Sequence, residues 1–269
     1  MIFELPLALA LTCLLSEVPA VHAVCFSLPA RLQAGLVPLI ARKRPGRAQE
    51  IAAYAVIALF ALAAFGLSLL HPALRIALLA LFLPMRTVLD QALRVRAFLD
   101  SGDVRGAAEA LRDGEAGTYE GVVRAAASQA SGDAAHIVFA GCLLALVATP
   151  LKLGPALVAA YAALVCLAAS APALARIRAL CFRWAEAAYA ALCALCAALC
   201  GLELEAALGM LRTRREGRLT RVICAAVGIG ETPTHEPLAG DLVQAAMLLW
   251  LALGVSVILL SLILLPFMR

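Results

Sequence analysis

Residues 51–70 place twenty consecutive uncharged side chains in one run, IAAYAVIALFALAAFGLSLL. At about 1.5 Å per residue, a helix of this length covers about 30 Å, the thickness of a bilayer's hydrocarbon core. A helix is also the simplest single segment that satisfies its own backbone N–H and C=O groups where there is no water. The rest of the chain has the same character. Hydrophobic residues make up 64% of it and charged residues 15%, against about 25% charged in a soluble domain. Mean hydropathy is +0.96. These values imply an integral membrane protein with an all-α fold: a polytopic transmembrane helix bundle with short amphipathic surface helices. Several spans and their connections use up the 269 residues, so 1–269 reads as a single integral membrane domain. Within it, 85–133 and 203–241 are polar membrane-surface segments.

The chain in order gives the layout. Residues 2–28 form an apolar segment interrupted by Glu17, Pro19 and His22, with no basic stretch at its start, so they read as a retained segment rather than a cleaved leader. Glu17 and His22 are expected to face a polar cavity or the interface, because an ionisable group in lipid is costly. Arg42, Lys43, Arg44 and Arg47 form the densest cationic cluster. The positive-inside rule makes the 41–50 loop cytoplasmic, and a multi-pass protein is expected. Residues 73–84 are apolar but too short to cross squarely, so they are re-entrant, interfacial or buried against other helices.

Amphipathic helices follow. Met85, Val88, Leu89, Ala92 and Leu99 recur at helical spacing, with Arg86, Asp90 and Arg94 as an i, i+4 ladder on another face. Ser101, Gly102 and Asp103 interrupt this helix. Asp103 caps a second helix with Val104, Ala107, Ala108 and Leu111 as its stripe, and Thr118 caps a third carrying Val122, Val123, Ala126 and Ala130. Residues 134–149 and 155–175 read as an apolar hairpin joined through Pro150, Lys152 and Pro155. The cations Arg176, Arg178 and Arg183 follow, then apolar stretches at 184–202 and 242–265.

Composition and motifs exclude several functions. A net charge of +4, with Arg far in excess of Lys, does not indicate nucleic-acid binding. There is no P-loop, dinucleotide-binding glycine pattern, HExxH or nucleophile elbow. The clearest span has no central charge and the chain has no visible internal repeat, which argues against a transporter. Eight of the nine cysteines lie in or beside apolar runs, where a thiol acts as a small hydrophobe. Cys193, Cys196 and Cys200 share one helix face. That helix is Ala- and Leu-rich, whereas cluster ligands come from loops that wrap the metal, so these thiols read as packing groups.

Residues 102–141 carry a family resemblance. Gly102-Asp103 is followed by Arg112-Asp113 and, ten residues later, by Arg124-Ala125-Ala126. This order resembles that of the CobD/CbiB family, the adenosylcobinamide-phosphate synthases of cobalamin biosynthesis. Elsewhere Glu17-Val18-Pro19 before His22-Ala23-Val24 is similar to the family's GDP and HPV, Tyr161 stands in its YK position, and Glu236-Pro237-Leu238-Ala239-Gly240 resembles its C-terminal KPxxG. The resemblance implies amide-bond formation between aminopropanol phosphate and adenosylcobyric acid, a corrinoid substrate, with ATP and Mg as cofactors in an active member. It implies Asp113, His22, Asp133 and His136 as catalytic groups, and Arg112, Arg124, Tyr161 and Glu236 as substrate-binding groups.

Departures from the family pattern fall where its chemistry lies. Ser128 and Gly132 stand at its two glutamates, Asp133 at its asparagine and His136 at the next aspartate, while Ala162, Val165 and Ala168 replace its Lys, Asn and Asp. The resemblance therefore implies a synthase with weakened or lost catalysis, or a non-catalytic regulatory or scaffold relative of the AmpE kind that works through membrane-protein partners. Each remaining candidate also has an architectural reading. Asp113 can cap a helix, Arg124 can anchor at the interface, and His136 can pair i, i+3 with Asp133.

Overall fold

The computed structural model describes residues 4–15, 34–38, 40, 47–82, 86–111, 118–138, 144–145, 148, 153–168, 172–212, 217–230 and 233–264. Among them there is no strand. The fold is all-α, with helices α1 (Glu4–Leu15), α2 (Arg47–Leu70), α3 (Pro72–Phe82), α4 (Arg86–Asp100), α5 (Val104–Glu109), α6 (Tyr119–Val138), α7 (Gly154–Leu167), α8 (Pro172–Leu199), α9 (Leu204–Arg212), α10 (Arg218–Val227) and α11 (Ala239–Leu264). Helices α2, α8 and α11 are long and apolar enough to cross a membrane, and α3 and α7 are shorter apolar helices. This is a membrane protein.

The chain forms two compact units, the first from 1–86, 137–183 and 257–269, the second from 87–136 and 184–256. In the first, α2 packs mainly on α7, while α3 lies against α1, α2 and α7. Small residues allow this closeness. Ala53, Ala64 and Ser68 are the buried positions of α2, and they meet a helix whose buried set includes Gly154, Ala156, Ala159 and Ala163. Of α3, Leu79 and Ala80 are buried in these contacts, while Ala73, Leu74 and Ala77 are exposed. Phe60 and Phe82 meet edge to face at 6.5 Å, and Arg75 pairs with Glu4 at 3.2 Å, joining the first turns of α3 and α1.

The second unit is built on one apolar cluster. Val95 and Leu99 of α4, Ala107 and Leu111 around α5, Val122, Val123 and Ala126 of α6, Cys224 of α10 and Leu242 and Ala246 of α11 all belong to it. Most of the stripe positions read from sequence for the three amphipathic helices are buried; Leu89 and Val104 are half-buried, and Met85 lies outside the described residues. Both expected caps are present: Asp103 Oδ1 accepts from Gly106 N at 2.8 Å and Thr118 Oγ1 from Gly121 N at 3.1 Å. Helix α4 stops at a left-handed glycine, Gly102 (φ 78°), with Gly102 N donating to Leu99 O and Asp103 N to Phe98 O. Gly201 and Gly228 close α8 and α10 by the same pair of bonds, which only glycine makes without strain.

Three features differ from the sequence reading. Helix α7 ends at Leu167, and α8 begins at Pro172 and runs unbroken through Arg176, Arg178 and Arg183 to Leu199, so the cations lie within a helix rather than between two. Proline suits the first helical position because its missing N–H is unpaired there anyway, and arginine is a good helix former. Second, α6 carries the polar-to-apolar transition at residue 134 without a break. Third, the 203–241 stretch is not surface throughout. Seven of the ten α10 residues are buried, from Leu219 to Val227. Its ends are tied down: Leu219 N donates to Glu186 Oε1 at 3.1 Å, and Ala226 O accepts from Glu203 N at 3.0 Å. Cys193 and Cys196 are buried as expected, whereas Cys200, at the end of α8, is exposed.

Candidate functional site

The second unit brings the start of α6 against the turn between α10 and α11. At the α6 end, Thr118 caps the helix and sets Tyr119, Glu120 and Arg124 on its first turns. Arg124 Nη2 lies 2.6 Å from Glu120 Oε1, an i, i+4 pair with both side chains about half exposed. The same Nη2 reaches Gly230 O at 3.5 Å, and Tyr119 Oη accepts from Ala239 N at 2.9 Å. One hydroxyl and one guanidinium thus join α6 to both sides of the turn.

The turn is itself organised by polar bonds. After Gly228 leaves α10 with φ 85°, Thr234 returns to it, its backbone N donating to Gly228 O at 2.9 Å. No side chain fits at 228: a Cβ there would overlap Thr234 Oγ1 and lie 2.9 Å from His235 Cε1. Asp241, only 5% exposed, sits in the first turn of α11. Its Oδ2 accepts from Leu238 N at 2.8 Å and lies 3.0 Å from His235 Nε2. The carboxylate therefore caps the helix, favoured there by the macrodipole, and also orients the imidazole.

His235 is 3.3 Å from Thr234 Oγ1 through its other nitrogen, Nδ1. With the imidazole neutral and Nε2–H donating to Asp241, Nδ1 is left to accept the Thr234 hydroxyl proton. Protonation turns Nδ1–H into a donor to the same oxygen. The relay can thus hold or pass a proton at a partly exposed ring. In the core of the unit, burial pushes the Cys224 thiol from its ordinary 9.0 up to about 11, and the Arg124 guanidinium pulls the other way.

No family model matches this sequence, and neither a curated protein nor a solved structure matches it.

The residues named from sequence distribute as follows. Arg124 and the exposed Glu236 belong to the α6 end and the turn just described. Asp133 and His136 lie one turn apart further along α6, both half-buried. Tyr161 is in the first unit, buried in α7 with Arg178 and Cys181 in its electrostatic surroundings. His22, Arg112 and Asp113 lie outside the described residues. Among those described, no three of His, Cys, Asp and Glu come together as a group that could hold a metal ion. Sequence reasoning missed Tyr119, His235 and Asp241. The available signal was a Thr-His pair shortly before an aspartate in the first turn of the last span.

Proposed function

We propose that the chain is a multi-pass inner-membrane protein on the CobD/CbiB plan, whose second unit binds a phosphate-bearing or corrinoid ligand and whose amide-forming activity is weak or lost. The observation that supports this is a convergence. Two stretches that resemble that family separately, 102–141 and 236–240, lie more than ninety residues apart, yet Ala107, Leu111, Val122 and Ala126 of the first and Ala239 of the second share one packed core, and Tyr119 bonds to Ala239. Arg124 offers a partly exposed cation for a phosphate, and His235 a ring able to exchange a proton.

The loss of rate rests on the replaced positions. Amide formation from a carboxylate needs charge stabilisation where the oxyanion develops, and losing one such group costs about a hundredfold or more. Ser128, Gly132, Ala162 and Ala168 offer none of the charge that the family's residues carry there. A non-catalytic regulatory relative of the AmpE kind is favoured by the same replacements.

Complementation of a bacterial strain that lacks its own synthase and is supplied with cobyric acid separates these readings. The expected result is little or no growth despite good membrane expression. Robust growth at ordinary corrinoid levels, lost in Arg124→Ala and kept in Arg124→Lys, would overturn the weakened-enzyme reading in favour of an active synthase. Absence of corrinoid and of aminopropanol phosphate binding by the purified protein would remove the ligand part of the proposal.

A further inference from the structure

Helix α8 presents one face that the function above does not use. Arg176, Leu180 and Arg183 follow at i, i+4 and i+7, so they line one side of the helix over two turns, about 10 Å along its axis. All three are exposed, and Trp184 and Ile177 stand beside them on the same side, Leu180 at 60% and Trp184 at 73% exposure. From Pro172 to Ala185 the helix contains no Asp or Glu. The next acid, Glu186, is engaged by Leu219 N. Among the described residues, neither Arg176 nor Arg183 is in an ion pair. Beyond this point α8 runs on as apolar helix to Leu199.

We propose that this face binds the phosphates of anionic phospholipids at the membrane boundary of α8. The chemistry of this face selects that occupant. A guanidinium presents a planar fork of donors that matches phosphate oxygens two at a time, and two such forks flank an exposed leucine. An exposed Trp beside exposed Leu and Ile suits the headgroup level, where one side of the ring is apolar and the other wet. A soluble anion would use the arginines and leave Leu180 and Trp184 in water. A lipid covers both at once, and the continuity of this face with a candidate span puts it where lipids are. Basic residues beside a span draw anionic lipids, with a gain of about fivefold in local affinity per cation. This proposal is independent of any corrinoid role.

Trp184 is a built-in reporter, since the chain has only two tryptophans. Trp250→Phe removes the other, whose buried Nε1 has no acceptor among the described residues. The full-length Trp250→Phe protein goes into phosphatidylcholine nanodiscs carrying a minor fraction of either phosphatidylglycerol or phosphatidylcholine, brominated near the headgroup end of the acyl chains. Bromine quenches a nearby indole. The expected result is stronger quenching of Trp184 by the brominated phosphatidylglycerol than by the same fraction of brominated phosphatidylcholine. The excess should disappear in Arg176→Gln/Arg183→Gln, survive in Arg176→Lys/Arg183→Lys, and persist with inorganic phosphate in excess. Equal quenching by the two lipids overturns the proposal, as does an excess that the Gln variant retains with unchanged helix content. An excess abolished by inorganic phosphate would assign the arginines to a soluble anion instead.

Discussion

Replacing Asp241 by Ala tests whether the turn before α11 is held as described. The substitution removes an acceptor used twice, by Leu238 N at 2.8 Å and by His235 Nε2 at 3.0 Å. Losing a helix-capping acceptor costs about 1 kcal/mol, and losing a negative charge at the positive end of the helix dipole a further 0.3–1 kcal/mol or so. His235 is 40% exposed and regains water, so its half of the pair adds little. The sum is about 2 kcal/mol for Asp241→Ala. Asp241→Asn keeps an acceptor for Leu238 N and loses only the charge, which leaves about 0.5–1 kcal/mol. His235→Ala should cost less than Asp241→Ala, because the cap survives it. In a chain of this size about 2 kcal/mol corresponds to a fall of roughly 4–8 °C in Tm, measurable by thermal unfolding of the detergent-solubilised protein. The Leu238 amide should also exchange faster with deuterium in the Ala variant. If Ala and Asn variants melt together, or if Asp241→Ala melts within about 1 °C of the parent, the carboxylate is not the cap.

Other expectations follow from the same geometry. Gly228→Ala should lower stability by about 2 kcal/mol or more, since a left-handed φ of 85° is compounded by overlap with Thr234, whereas Gly201→Ala, at φ 67° in open space, should lose only the conformational part of about 1 kcal/mol. Equal losses would show that Thr234 and His235 do not pack on Gly228. Cys224 ionises in the unfolded chain near its ordinary 9.0 but in the fold only at about 11, so its contribution is present below pH 9 and is lost as pH rises to 11. The stability gap between the parent and Cys224→Ala should therefore shrink by about 2–3 kcal/mol over that window in denaturant titrations, and a constant gap would contradict the buried thiol. Replacing Cys193, Cys196 and Cys200 together by Ala should leave helix content intact at a cost of a few kcal/mol at most, carried by the buried Cys193 and Cys196 as small core truncations. Zinc or iron lost with the three thiols, measured by elemental analysis of purified protein, would refute their packing role.

By itself, the sequence determined the membrane character and the local elements. The charge-free run at 51–70 could hardly be anything but a span, and α2 covers it. The caps at Asp103 and Thr118, the break at Gly102 and the stripes of α4 to α6 depend only on neighbours within about four residues, so their pattern was readable in the chain. Tertiary structure alone decided the partners. Helix α10 lies in a stretch that reads as polar because of Arg218 and Arg221, yet its other residues fill a core, held by Glu186 from another helix thirty-three positions away. Tyr119 was ordinary in sequence and became a link to Ala239 across 120 positions, and Arg124 met Gly230 across 106. Asp241 looked like any acid at the start of a span until the turn carried His235 onto it. Periodicity and capping are short-range properties that a linear string records. Which buried face finds which neighbour depends on packing small residues in three dimensions, and no local pattern encodes it.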